Sequence, residues 1–171
     1  METNLLTLRP ATADDAALVL RFIIELAEYE QLAHEVVATE DALARTLFGA
    51  SPAAEVVLAA WDGDPVGFAL CFPSYSTFLA RPGLYLEDLY VRPSHRGRGI
   101  GLALLRHLAT LALARGHGRL EWSVLDWNQP AIRFYERVGA VPLSEWTRWR
   151  VTGAALTALA GGARPPGGSV P

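Results

Sequence analysis

Three glycines stand at alternate positions in Arg96-Gly-Arg-Gly-Ile-Gly101, directly behind an apolar run and directly ahead of a helical one. Helix N-termini carry unpaired backbone N–H groups and the positive end of the helix dipole. Anions settle there, most readily where missing side chains let the backbone approach. The stretch can hold a phosphate, or it can be a tight strand-to-helix turn with no ligand. Spacing excludes two familiar phosphate loops. A P-loop reads Gly-x-x-x-x-Gly-Lys-Ser/Thr, which is absent, and a dinucleotide fingerprint counted from Gly97 puts Leu102 where its last glycine belongs.

Two further positions invite chemistry. Glu87 and Asp88 interrupt the apolar run at residues 84–91, and an unpaired buried carboxylate is costly. Strand alternation puts the two on opposite faces, so one can face a substrate cleft while the other faces elsewhere. The alternative is a pair of surface ion pairs on an edge strand. Tyr135, in Ile132-Arg-Phe-Tyr-Glu-Arg137, reads by itself as a partly buried helix aromatic. Asn128 reads as a helix N-cap.

The spacing that does match, Arg96-x-x-Gly99-x-Gly101 between a strand and a helix, resembles the pyrophosphate loop of the GNAT superfamily of N-acetyltransferases, which use acetyl-CoA. The resemblance extends over residues 6–151. It is closest to the branch of diamine (spermidine/spermine) and thialysine acetyltransferases. The stretches that carry the closer likeness are Leu8-Arg-Pro-Ala-Thr12, Glu25-Leu-Ala-Glu-Tyr-Glu30, Tyr85-Leu-Glu-Asp88 with Val91, the glycine loop, Trp127-Asn128, and Phe134-Tyr135 with Gly139-Ala140.

The resemblance implies a donor site. Arg96 and the amides of Gly97, Arg98, Gly99, Ile100, Gly101 and Leu102 would hold the pyrophosphate. Leu89, Tyr90 and Val91 would pair with the pantetheine arm as an added strand does, leaving an amide for the thioester carbonyl. Asn128, with Pro130 and Ala131, would contact the CoA arm, a role that its N-cap reading does not exclude. Arg92, Arg96 and Arg98 form a basic knot suited to CoA phosphates.

It also implies an acceptor site. An alkyl amine, with pKa near ~10.4, arrives as a cation and must lose a proton before it attacks. Glu87 is placed at the substrate amine, as a base acting through water or as counter-charge, and Tyr135 becomes the acid that protonates the departing thiolate. Tyr29, Glu30 and Glu145 match positions that line the amine pocket, although each Glu taken singly is a solvated surface residue. Carboxylates around an apolar groove favour a long cationic amine. One stretch departs from the polyamine enzymes: they carry an acid in the loop where this chain has the neutral Ser74-Tyr-Ser-Thr-Phe78, as in the thialysine-preferring relatives. The expectation is therefore an acetyl-CoA-dependent N-acetyltransferase acting on a small cationic primary amine, without a metal and as a homodimer. Another acceptor (an amino acid, an aminoglycoside or a protein N-terminus) and a non-catalytic acyl-CoA-binding module are the rival readings.

Positioning these groups requires a mixed α/β domain. Residues 5–9 predict a strand, Thr12 caps a helix running to about Tyr29, and Thr39 opens a second helix that ends near Gly49. Residues 54–61 and 66–72 predict strands around the turn Asp62-Gly-Asp-Pro65. A βαβ unit follows at residues 84–125, with its helix over residues 100–115, then a helix over 128–137 and at least one further strand over 141–151. The fold class is α/β in the mixed sense, a single domain over residues 1–160 with a central, mostly antiparallel sheet flanked by helices. The Gly/Pro-rich residues 161–171 predict a disordered tail. Trp122, Trp146 and Trp149 alternate with polar neighbours and read as core or subunit interface.

Composition narrows the class. At 171 residues, with 51% hydrophobic and 19% charged residues, the chain fits one folded domain. The net charge of −3 gives no footprint for nucleic acid. No apolar run approaches the ~18 residues of a membrane span, and METNLLTLRP lacks a signal-peptide pattern, so a cytoplasmic location is the default expectation. Cys71 is the lone cysteine, and His34, His95, His107 and His117 share no ligand spacing.

Overall fold

A computed structural model of the chain describes residues 5–162; the predicted tail lies almost entirely outside the described residues. The chain divides after Trp127 into two compact units. In the first unit, strands β1 (Leu6–Pro10), β2 (Glu55–Trp61), β3 (Asp64–Ser76), β4 (Arg81–Val91) and β5 (Leu120–Trp122) lie side by side in sequence order. Neighbours are antiparallel through β4, and β4 pairs with β5 in parallel. A parallel pair needs a crossover, supplied here by helix α3 (Ile100–Ala114). The glycine loop is therefore the β-to-α turn of this βαβ unit. The sheet is mixed and mostly antiparallel, as the sequence implies.

Helices α1 (Ala16–Tyr29) and α2 (Glu40–Phe48) cover one face. Val19 and Phe22 of α1 and Leu47 of α2 share a core cluster with Val56, Leu58, Phe68, Leu70 and Tyr90 of the sheet. The ring centroids of Phe22 and Phe68 stack 5.6 Å apart. Val57, Ala59, Ala69 and Cys71, on the alternate face, are buried as well, which requires a cover on that side too. Helix α3, packed on β2, β3 and β4, provides it with Ile100, Leu104, Leu105, Leu108 and Ala112. Local signals sit where the sequence puts them. The Thr39 hydroxyl accepts from the Ala42 amide (3.2 Å), and Asp62 and Gly63 take φ of 53° and 88°, the left-handed pair of a tight hairpin turn.

The second unit departs from expectation. It holds α4 (Gln129–Arg137) and α5 (Gly153–Ala160), and α5 is not anticipated by the sequence reading. The strand expected over residues 141–151 does not form: that segment has no ladder partner among the described residues and contains only a turn from Leu143 to Trp146. Trp146 and Trp149 are 73% and 88% exposed, which overturns their reading as core. An alternating pattern confers strand preference, but a strand persists only where a neighbour completes its hydrogen bonds. The second strand of the βαβ unit expected at residues 84–125 likewise stops early, as the three residues of β5.

Candidate active site

The loop geometry follows from its glycines. After the last turn of the chain leaving β4, Gly97 and Gly99 take φ of 78° and 79°, a region that costs an L-residue roughly 1–2 kcal/mol. Neither has a heavy atom within 4 Å of where a Cβ would lie, so these positions need glycine for the backbone path and leave open space above it. Gly99 caps α3, its carbonyl accepting from the Ala103 amide (2.9 Å). Ile100, Gly101 and Leu102 form the first turn of the helix, whose amides lack intrahelical partners. A helix start with open space above Gly97 and Gly99 fits a pyrophosphate.

Behind the loop, Leu89, Tyr90 and Val91 end β4, with Tyr90 buried and its neighbours half-buried. The basic knot is loosened by the structure. Arg92 donates from Nε and Nη2 to the Glu25 carboxylate (3.0 and 2.8 Å) and from Nη1 to the Pro65 carbonyl (3.0 Å). Its guanidinium also lies over the Phe22 ring. Arg92 is thus committed to α1, and the Tyr90 hydroxyl joins the same carboxylate, which the arginine holds below the ordinary range. Arg98 lies over the Trp61 ring, 5.3 Å from its centroid. Arg96 stands over Tyr29 (4.4 Å) and Tyr90 (5.8 Å), and its Nε donates to the Val91 carbonyl (2.9 Å).

The acids are arranged by an irregularity that alternation cannot foresee. Leu70 pairs with Asp88 but Cys71 with Leu86, so Glu87 is the extra residue of a β-bulge. Two residues of the bulged strand then face one on its partner. Asp88, opposite Leu70, lies on the face that α1 covers, and the regular alternation between Glu87 and Asp88 is broken. Burial first, then the charges of Glu87 and Glu30, push Asp88 up to about 6. Burial also raises Glu30, the residue that closes α1. Glu87 itself is exposed. The structure therefore brings the charges of Glu87 and Glu30 to bear on Asp88. Of the two charges in this apolar strand, the resemblance points to Glu87, whereas the structure shows Asp88 as the one that burial perturbs.

In the second unit, Asn128 is buried and its Oδ1 accepts from the Ala131 amide (3.3 Å), with Pro130 in the first turn of α4. That is the N-cap role. Tyr135 is half-buried on α4, its ring 5.3 Å from that of Phe134. Glu145 is exposed within the segment that forms no strand. No cluster of side chains able to hold a metal ion is present among the described residues, and none of their helices is long and apolar enough to cross a membrane.

Comparison with known proteins agrees with this geometry. Residues 23–140 match the acetyltransferase (GNAT) family. The chain is 41% identical over 167 residues to the thialysine N-epsilon-acetyltransferase of Bos taurus, covering 90% of this chain and 96% of that one. It is 34% identical over 197 residues to the L-ornithine N5-acetyltransferase of Arabidopsis thaliana, covering 89% and 86%. Among solved structures, an integron cassette protein of V. cholerae superposes with a TM-score of 0.77 at 29% identity, covering 91% and 98%.

Proposed function

The chain belongs to the acetyltransferase (GNAT) family and is an N-acetyltransferase, and from that premise we propose that it moves an acetyl group from acetyl-CoA to a primary amine of a small cationic acceptor of the thialysine or diamine kind. The observation that carries the choice of acceptor is the convergence of the Glu87 and Glu30 charges on Asp88. Asp88, raised by burial first and then by the charges of Glu87 and Glu30, marks a site that a cation relieves. The names of the thialysine and ornithine relatives support the same choice. Residues 1–160 act as one acetyltransferase domain in this reading.

Bound acetyl-CoA supplies an activated acetyl thioester. Gly97, Gly99 and the first-turn amides of α3 would hold its pyrophosphate, and the Leu89, Tyr90 and Val91 backbone would orient its arm; Asn128, Pro130 and Ala131 are assigned to that arm by the family resemblance alone. Glu87 serves as counter-charge and proton acceptor for the amine, and Asp88, poised at about 6, shares the proton with it. A carboxylate of raised affinity is a stronger base than an ordinary one, so the mismatch with an alkylammonium narrows. Tyr135 donates the proton that the departing thiolate takes up. Tyr29 and Glu30 line the amine's approach, and Glu145 is assigned to it by the family resemblance alone. A homodimer belongs to the same proposal and accords with the exposure of Trp146 and Trp149.

A panel of amines assayed by thiol release tests the reading. Thialysine, lysine, ornithine and short diamines should react, with the product acetylated on the terminal amine by mass spectrometry. Inert amines beside a reactive peptide N-terminus would overturn it.

A further inference from the structure

Arg96 is the first residue of the loop motif, yet its side chain is engaged away from the loop. The guanidinium stacks on Tyr29 and Tyr90, and Nε is spent on the Val91 carbonyl. Tyr29 lies one helical turn beyond Glu25 on α1, and Arg96 lies four positions beyond Arg92. The Glu25–Arg92 ion pair and the Tyr29–Arg96 stack are therefore two rungs between the same helix and the same strand-to-loop segment. The outer rung continues: the Tyr29 ring packs against Trp127 with centroids 6.0 Å apart, and the next residue along α1, Glu30, is one of the acids that raises Asp88.

We infer that Arg96 is a positioning residue, a stacked clamp that joins the donor loop to the acceptor end of α1 and makes CoA and the amine bind with positive coupling. The inference rests on the acetyl-transfer reading above. Between Arg96 and α3 stand the two left-handed glycines, and glycine backbones have more conformational freedom to lose on ordering than other residues. A pyrophosphate that orders the loop amides fixes Arg96, which fixes Tyr29 and Glu30. The amine then meets an ordered pocket, and by linkage the amine strengthens CoA binding by the same factor.

The distinction from a phosphate ligand lies in shape. Lysine keeps the charge of arginine but has no flat face to stack. The test titrates thialysine by calorimetry with and without saturating CoA, which lacks an acetyl group and so allows no turnover. Wild type should bind thialysine about fivefold more tightly with CoA, the scale of one stacked cation. Arg96→Lys and Tyr29→Leu should each reduce the factor to less than about twofold, and the double variant should lose nothing more. Coupling retained in Arg96→Lys, or CoA affinity falling as far as the coupling, overturns the clamp.

Hydrogen exchange with CoA alone supplies an arm that needs no amine. CoA should slow exchange over residues 27–32 in wild type and not in Arg96→Lys. If it does so while no amine elicits thiol release, the acetyl-transfer reading fails and the clamp stands. If acetyl transfer proceeds but exchange over residues 27–32 ignores CoA, the clamp fails and the reading stands.

Discussion

Asp88 on β4 lies within reach of the charge of Glu30, the residue that closes α1; burial first, then Glu87 and then Glu30, push Asp88 up to about 6. The folded state binds this proton more tightly than the unfolded chain. The stabilisation is therefore fully present below the unfolded value and lost as pH rises through about 6. Asp88→Asn should be more stable than wild type by about 1–3 kcal/mol near pH ~8 and equal to it below pH ~4. Urea denaturation at the two pH values measures this. The same substitution should lower turnover with cationic amines, because the site loses a charge that the substrate relieves.

Gly99→Ala separates backbone path from crowding. With φ of 79° and nothing within 4 Å of the new methyl group, the cost is conformational, roughly 1–2 kcal/mol. Thermal unfolding should show that loss, and CoA affinity should fall with it as the first turn of α3 shifts. Gly99→Asn, which tolerates the left-handed region better, should recover part of both.

The Glu25–Arg92 pair spans 67 positions of sequence and fastens α1 to the end of β4. Glu25→Gln leaves a charged guanidinium against a neutral amide. The expected loss is about 1–3 kcal/mol in urea denaturation near pH ~7. Because the arginine holds Glu25 below its ordinary range, the contribution is present above the unfolded carboxylate value and fades as pH falls through the lower folded value. The difference between variant and wild type should shrink accordingly on acidification.

Tyr135→Phe removes one hydroxyl and little else. If Tyr135 protonates the thiolate, turnover should fall about 100-fold or more while CoA affinity, read by calorimetry, stays within about twofold. Equal turnover removes the acid role.

The βαβ unit was legible because its signals are local: an apolar strand, a run of glycines with no other use, and a helical period behind it. The hairpin at Asp62 and Gly63 was legible for the same reason. What escaped reading depends on partners distant in sequence. The bulge at Glu87 arises from the register between β3 and β4, and no residue type at that position announces it. The commitment of Arg92 to Glu25 cannot be seen from a cluster of arginines. Residues 141–151 carry the alternation of a strand, yet Trp146 and Trp149 meet no ladder within the described chain. Helix α5, Gly153–Ala160, is so uniformly small and apolar that it shows no amphipathic period to detect.

The central claim, transfer of acetyl to a small cationic amine at the acid cluster, is tested most directly by the pH dependence of thiol release with thialysine in wild type and Glu87→Gln. The account predicts acetyl transfer by wild type, and a loss in Glu87→Gln that is larger near pH ~6 than near pH ~10, where the amine sheds its proton unaided. No thiol release from wild type with thialysine at any pH, or a loss in Glu87→Gln that does not vary with pH, would contradict it.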